Sequence, residues 1–325
     1  MSINDAVRTV VETERQARFL ILVACHSGVC LMRQYSAFAG IVFGQKTRKC
    51  FAKLVRLGYV STYDCAHNRA RIYHVRHREL YEAIGELESR LRRPPVVPRA
   101  LERLMILDAI LENPDMVWLS RAEEKVAHVT TLTRIPLEDL PHLATGQGGA
   151  RQIRYFPDRL PVGIHPDGRV VLVYLHGDPL RDEFRAFLQR HAAMLNGLSA
   201  WTIRIVLPAP LAGEAQGLQQ AAYAQIATPL RESLRDELRW YFERLRAART
   251  ETCAGADADR FKRAEQAFQL RRYPVLYRAW LQDGERVLTV ASSSAISDAL
   301  KSRGKIQPLI LPHSYGHLSP LVGLA

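Results

Sequence analysis

Apolar residues recur at three- and four-residue spacing soon after Thr13, with Phe19, Leu20 and Val23 on one stripe. The chain is therefore expected to form a helix that stops near Ser27-Gly28. A second, short helix is expected over residues 31–39, with Tyr35 and Phe38 on one face, followed by a turn at 40–44. Gln45 opens a third segment, QKTRKCFAKLVRLG, whose stripe is Cys50, Phe51, Leu54 and Val55. Gly58 stands where a left-handed residue would end that helix. The period then changes to two. Residues 59–63 and 71–75 alternate around a turn-rich tip, which reads as a hairpin.

Further on, Leu80, Ile84, Leu87 and Leu91 predict one more helix, broken by the RRPPVVP run at 92–98, a stiff linker. Leu101, Leu104, Met105, Asp108 and Leu111 mark the next helix, stopped at Asn113-Pro114. Another begins near Ser120, with Glu123 in the capping-box position. These stripes suit packing within the chain or a homodimer face. From Ile153 the pattern becomes strand, strand, strand, helix, strand: IRYFPD, then LPVGIHPDGRVVLVYLHGD, a helix over 180–195, and WTIRIVL. Helices are expected over 211–227 and 229–248, a polar loop over 250–259, and a last strand over 306–311.

Charge adds what periodicity cannot. The 325 residues carry 45 Lys+Arg against 33 Asp+Glu, a net +12. Residues 45–78 alone hold nine basic side chains and a single acid, Asp64. That clustering suits a surface that meets phosphates. The length suggests two or three domains and the strand–helix alternation an α/β multidomain protein, divided as 1–93, 94–145 and 146–325. No apolar run approaches the ~18–20 residues of a membrane helix. Asp5, Arg8 and Glu12 stand where a signal peptide would be apolar, and five cysteines are an odd number for a disulfide framework. A cytoplasmic location without a membrane partner is the expectation.

Three helices followed by a basic hairpin form a winged helix–turn–helix, whose third helix enters the major groove of double-stranded DNA. Gln45, Thr47 and Arg48 would then reach base edges, Lys46, Lys49 and Lys53 would hold phosphates, and Asn68, Arg69 and Arg71 would be wing contacts. The LVRLGYV segment resembles MarR-like regulators, and resembles even more the replication–relaxation family of plasmids and transposons. That family carries a reduced restriction-endonuclease-like core behind its winged helix, and the resemblance covers roughly residues 14–90 and 150–208. It implies a DNA-binding protein of a mobile genetic element, working in recombination, resolution, replication or transcriptional regulation, beside a recombinase or replication protein.

An active core of that type needs an Asp after Pro and then an acid–x–Lys pair. Pro157-Asp158 supplies the first, but Tyr174-Leu175-His176 replaces the second. Asp178 lies past the strand, where it would cap the next helix. The expectation is a degenerate nuclease-like domain with no catalytic residues, metal or cofactor; the rival reading is a metal-dependent nuclease targeted by the winged helix. The Cys25, Cys30, Cys50, Cys65 and His67 spacings contain no C-x2-C pair, so no zinc site is expected. His313 and His317 read as loop residues, and no phosphate-binding GxxxxGK motif or Gly-x-Ser-x-Gly elbow occurs.

Overall fold

The computed structural model describes residues 13–65, 70–146, 152–177, 182–247, 256–313, 315 and 318. The Thr13 hydroxyl accepts the Gln16 amide at 3.3 Å and opens α1 (Glu14–His26), which buries Ala17, Phe19, Leu20, Val23 and Ala24. Gly28 follows with φ 68°, and a Cβ there would lie 2.5 Å from the Leu91 carbonyl oxygen. Only glycine fits both conditions. Then come β1 (Val29–Cys30), α2 (Met32–Ala39), α3 (Gln45–Arg56), β2 (Val60–Asp64) and β3 (Arg71–Val75). β3 is the middle strand, antiparallel to both neighbours, with Val29 opposite His74 and Val60 opposite Val75. Helices close over this sheet through edge-on rings: Phe51 meets Tyr73 at 4.6 Å and Tyr35 at 6.0 Å, and Tyr35 meets Phe19 at 5.2 Å.

The stripe through Leu91 does not form one helix. α4 (Arg78–Ala83) ends before Gly85, which takes φ 74°, and a 3-10 turn follows at Arg90–Arg92. There the Leu91 carbonyl meets His74 Nε2 at 2.9 Å, so the segment folds back over β3.

Past the Pro94-Pro95 break, α5 (Val97–Leu111) runs with Pro98 in its first turn. From Leu104 onward it is apolar nearly all round, Asp108 excepted, because both its sides are covered. Leu101, Leu104, Met105 and Ala109 join Val29 and Ile72 of the first sheet, and Leu31 just after β1, to Val173, Val206 and Leu311 of the second. β4 (Val117–Leu119) and α6 (Ala122–Thr133) follow. The α6 cap is Glu124 rather than Glu123: its carboxylate accepts the Ser120 and Arg121 amides, both at 3.2 Å.

The remaining strands are β5 (His142–Thr145), β6 (Gln152–Tyr155), β7 (Val162–Ile164), β8 (Val170–Leu175), β9 (Trp201–Pro208) and β10 (Gly304–Leu311). The second sheet has the order β10-β9-β8-β7-β4, with β8, β9 and β10 parallel and the β7 pairings antiparallel. β6, expected to be the first strand of this sheet, pairs instead with β5 in a separate ribbon. Its Gln152, Ile153 and Arg154 are exposed, whereas β4 seats Trp118 against Gly163, where a Cβ would come within 2.9 Å of the ring. Residues 94–145 thus supply a strand to the second sheet and the helix between the sheets, so the expected boundary after residue 145 runs through a packed unit.

α7 (Asp182–Gly197) links β8 to β9 and buries Phe184, Phe187, Leu188, His191 and Leu195 on the sheet. After β9 come α8 (Ala215–Ala222), a π turn at Tyr223–Ala227, α9 (Glu232–Ala247), α10 (Ala256–Ala267), α11 (Arg272–Asp283), α12 (Arg286–Ser292) and α13 (Ala295–Ser302). α9 to α12 close their own core around Leu238, Tyr241, Phe242, Phe268 and Trp280. The segment read as a loop through Asp259 is helical from Ala256, with Asp257 and Asp259 in its first turn, where the helix dipole favours acids. Among the described residues no helix is long and apolar enough to cross a membrane.

One polar cluster crosses this apolar interior. Asp108 on α5 is 4% exposed, and its two oxygens take the Arg33 guanidinium of α2 bidentately, each at 2.7 Å. The Tyr315 hydroxyl donates to the same carboxylate. Burial and the Asp108 charge push the Tyr315 pKa up, which keeps it a donor. Asp108→Ala, which strands Arg33, is expected to cost about 3 kcal/mol. Tyr315→Phe should cost about 1–2 kcal/mol. Urea unfolding measures both, with the exposed Arg99–Glu102 pair (2.6 Å) as the reference whose loss costs under about 1 kcal/mol. A cost for Asp108→Ala no larger than that reference would remove the cluster from its central place.

Candidate nucleic-acid interface

The helical period sorts α3 into two faces. Thr47, Phe51 and Leu54 turn inward, while Gln45, Lys46, Arg48, Lys49, Ala52, Val55 and Arg56 are exposed. Thr47 was expected to reach base edges. It is fully buried instead, 3.1 Å from the Ser36 hydroxyl, and so ties α3 to α2. Among the described residues Lys46, Arg48 and Lys49 form no ion pair with an acid. The Arg48 guanidinium lies 5.5 Å from the ring centroid of Phe43, in the turn before α3, where Val42 and Phe43 are both exposed.

Lys53 is half-buried and, with Lys46 and Lys49, lines a groove of about 930 Å³ between α1 and α3. Arg15 and Arg18 stand on the opposite wall of this groove, on α1. Sequence reasoning passed over both. Their signal was the spacing in ERQAR, which puts two arginines one turn apart on a helix that otherwise reads as core. Arg15 Nη1 donates to the Ala39 carbonyl at 2.9 Å, and Arg18 pairs with Glu14 at 2.6 Å.

At the hairpin, Arg71 faces solvent and pairs with Asp64 at 2.9 Å across the strands, so its charge is already partnered. Asn68 and Arg69 lie outside the described residues. Arg76, Arg78 and Tyr63 are exposed on the same hairpin and its exit.

The second sheet places the expected nuclease positions differently. Asp158 sits in a turn after β6, between Phe156 (φ 46°) and Arg159 (φ 58°), and binds the Arg190 guanidinium of α7. Tyr174 packs on Phe184 and Phe187 at 4.7 and 5.1 Å, and His176 meets Glu214 at 3.3 Å. Asp178, His67 and His317 lie outside the described residues. Among those that are described, no three His, Cys, Asp or Glu side chains gather to hold a metal ion. Behind Asp158, Lys125 of α6 is 1% exposed, donates to the Leu160 carbonyl at 2.9 Å, and stands 5.8 Å from the Phe156 ring. Burial pulls its pKa down to about 8 and that of neighbouring His191 down to about 4.

The search for relatives found no matching family model, no matching curated protein and no matching solved structure.

The Lys125 geometry gives a pH dependence with a definite sign. With the folded pKa near 8 and the free value at 10.5, the unfolded chain binds the extra proton between them. The resulting penalty is present below pH 8 and is relieved as the pH rises toward 10.5, by about 3 kcal/mol in all. Lys125→Met is expected to flatten this rise relative to the unchanged protein in urea titrations across that range. Parallel pH profiles for the two proteins would show that Lys125 keeps an ordinary pKa.

Proposed function

We propose that the chain is a sequence-specific double-stranded DNA-binding protein, with residues 13–93 acting as a winged helix–turn–helix. One observation carries this reading: the outward face of α3 presents Gln45, Lys46, Arg48 and Lys49 to solvent with no acidic partner among the described residues. The element order supports it, since two helices precede α3 and a two-stranded hairpin follows it on a sheet of three strands. In this reading Gln45 and Arg48 face the major groove, where amide and guanidinium groups pair with adenine and guanine edges. Ala52, small and exposed one turn later, lets the helix approach the groove floor. Lys46, Lys49 and Lys53, with Arg15 and Arg18 across the groove from them, supply phosphate contacts that position the helix without reading sequence. Arg71 joins only by exchanging Asp64 for a phosphate, and Arg18 only by exchanging Glu14.

The second sheet is read as a scaffold, because Asp158 is engaged by Arg190 and His176 by Glu214. With the resemblance to the replication–relaxation family, this favours an accessory factor of a mobile element, acting in recombination, replication or regulation with a second copy or a recombinase as partner.

Selection of bound duplexes from a random pool, then anisotropy titration over a range of salt, tests the proposal. Arg48→Ala with Lys49→Ala should weaken binding about 10- to 100-fold and lower the salt slope by about 1–2. Affinity and slope both unchanged would overturn the assignment of α3.

A further inference from the structure

In a parallel sheet, residues in register share a face. Val173, Arg204 and Gln307 stand in one row across β8, β9 and β10, next to a row holding Val171 and Thr202. α5 covers this face at Val173, Val206 and Leu311 but ends before it is closed. What remains is an open groove with two lobes of about 230 and 370 Å³, which share Glu112, Asn113, Arg204 and Gln307. Arg169 and His165, from the β7–β8 turn, line the larger set of walls together with Asp115.

The charges here are poorly matched. Arg204 Nη1 and Arg169 Nε are buried with no hydrogen-bond partner among the described residues. Arg204 has no carboxylate partner among them either, whereas Arg169 shares Asp167 with His165 at 3.4 and 2.8 Å. A guanidinium stays charged, and a donor removed from water without a partner is costly. Burial, with no acid opposing it, pushes the Arg204 pKa down. On the α5 side, Glu112 and Asp115 are exposed and form no ion pair among the described residues. The negative end of the α5 dipole lies beside them.

A polyanion such as duplex DNA would meet its own sign on the α5 wall. A simple anion would satisfy the base of the groove and leave the acids alone. We propose that this groove binds a small zwitterion of the free amino-acid class, its carboxylate on Arg204 and its ammonium toward Glu112 and Asp115. The donors at the base suit a carboxylate, with Gln307 and Thr202 beside the guanidinium, and the groove volume suits a molecule of that size. None of this depends on the DNA-binding reading of α3.

Thermal unfolding of the full chain tests it, with each free L-amino acid added in turn at millimolar concentration. N-acetyl and carboxamide derivatives, which each lack one charge, and sodium chloride of equal ionic strength are the controls. At least one amino acid should raise Tm by about 2–4 °C, and its blocked forms should not. Arg204→Met should abolish the rise while leaving the ligand-free Tm equal or higher, because an unpaired, half-buried charge has gone. Glu112→Gln, at an exposed position that should not affect folding, should cut the rise by at least half and carries the test if Arg204→Met does not fold. The proposal is overturned if no amino acid exceeds the salt control, if the N-acetyl form works as well as the zwitterion, or if the rise survives Glu112→Gln undiminished.

Discussion

A carboxylate in an apolar helix has to be met by donors from whatever packs against it, and Asp108 imposes that condition on the whole molecule. α5 is buried on both sides, so the partners come from both: Arg33 from α2 and Tyr315 from the chain beyond β10. Gln34, next to Arg33, adds a second bond by donating to the Leu104 carbonyl at 2.9 Å, and its other end accepts the Leu31 amide at 2.8 Å. Replacing such a cluster with hydrocarbon can leave stability unchanged, so its value lies in geometry. Apolar packing alone would let α2 slide along α5; a bidentate pair with a third donor fixes one register. From α2 the constraint passes to α3 through Ser36 and Thr47. The aim of the basic face is therefore set by a carboxylate two helices away.

Much of this arrangement could be read from the sequence, and the parts that could not share a cause. α1, α2, α3 and the hairpin are amphipathic, so their period is visible and their ends are punctuated by Gly28, Gly40 and Gly58, all with positive φ. α4 failed because four leucine-type residues at helical spacing describe a buried face equally well when the chain breaks and folds back. Gly85 was the warning, and the His74 bond to the Leu91 carbonyl rewards the break. The sequence pattern puts β6 in the wrong sheet because short strands carry no mark of their partner. What decides between β4 and β6 is the Trp118–Gly163 contact, a tertiary fact.

At the candidate interface the same division holds. Gln45, Lys46, Arg48 and Lys49 were legible because charge on a helix phase is a surface property. Thr47 sits among them in sequence, yet 100° per residue turns it inward, and a hydroxyl is tolerated there only because Ser36 faces it. Arg15 and Arg18 sit at the start of a helix whose later turns, Phe19 to Ala24, read as core, which draws attention from its polar first turn. Arg204 lies inside a strand that reads as continuous core, WTIRIVL, where one cation looks like an exception to be snorkelled away. Only the register across β8, β9 and β10 shows that it faces a groove.

Two acids lie one turn apart at the C-terminal end of α5, Asp108 in the interior and Glu112 just past the last turn, where it borders the groove. Leu104 and Leu107, both fully buried, tie this helix to the core between the two sheets and to the core of the first helices. Close-packed interiors resist small displacements, and a ligand shifts a conformation only by binding two arrangements unequally. α5, packed into both of these cores, thus acts as a strut. It holds the basic face of α3 and the zwitterion groove at a fixed separation, and occupancy of one is expected to leave the affinity of the other unchanged unless Asp108 is released.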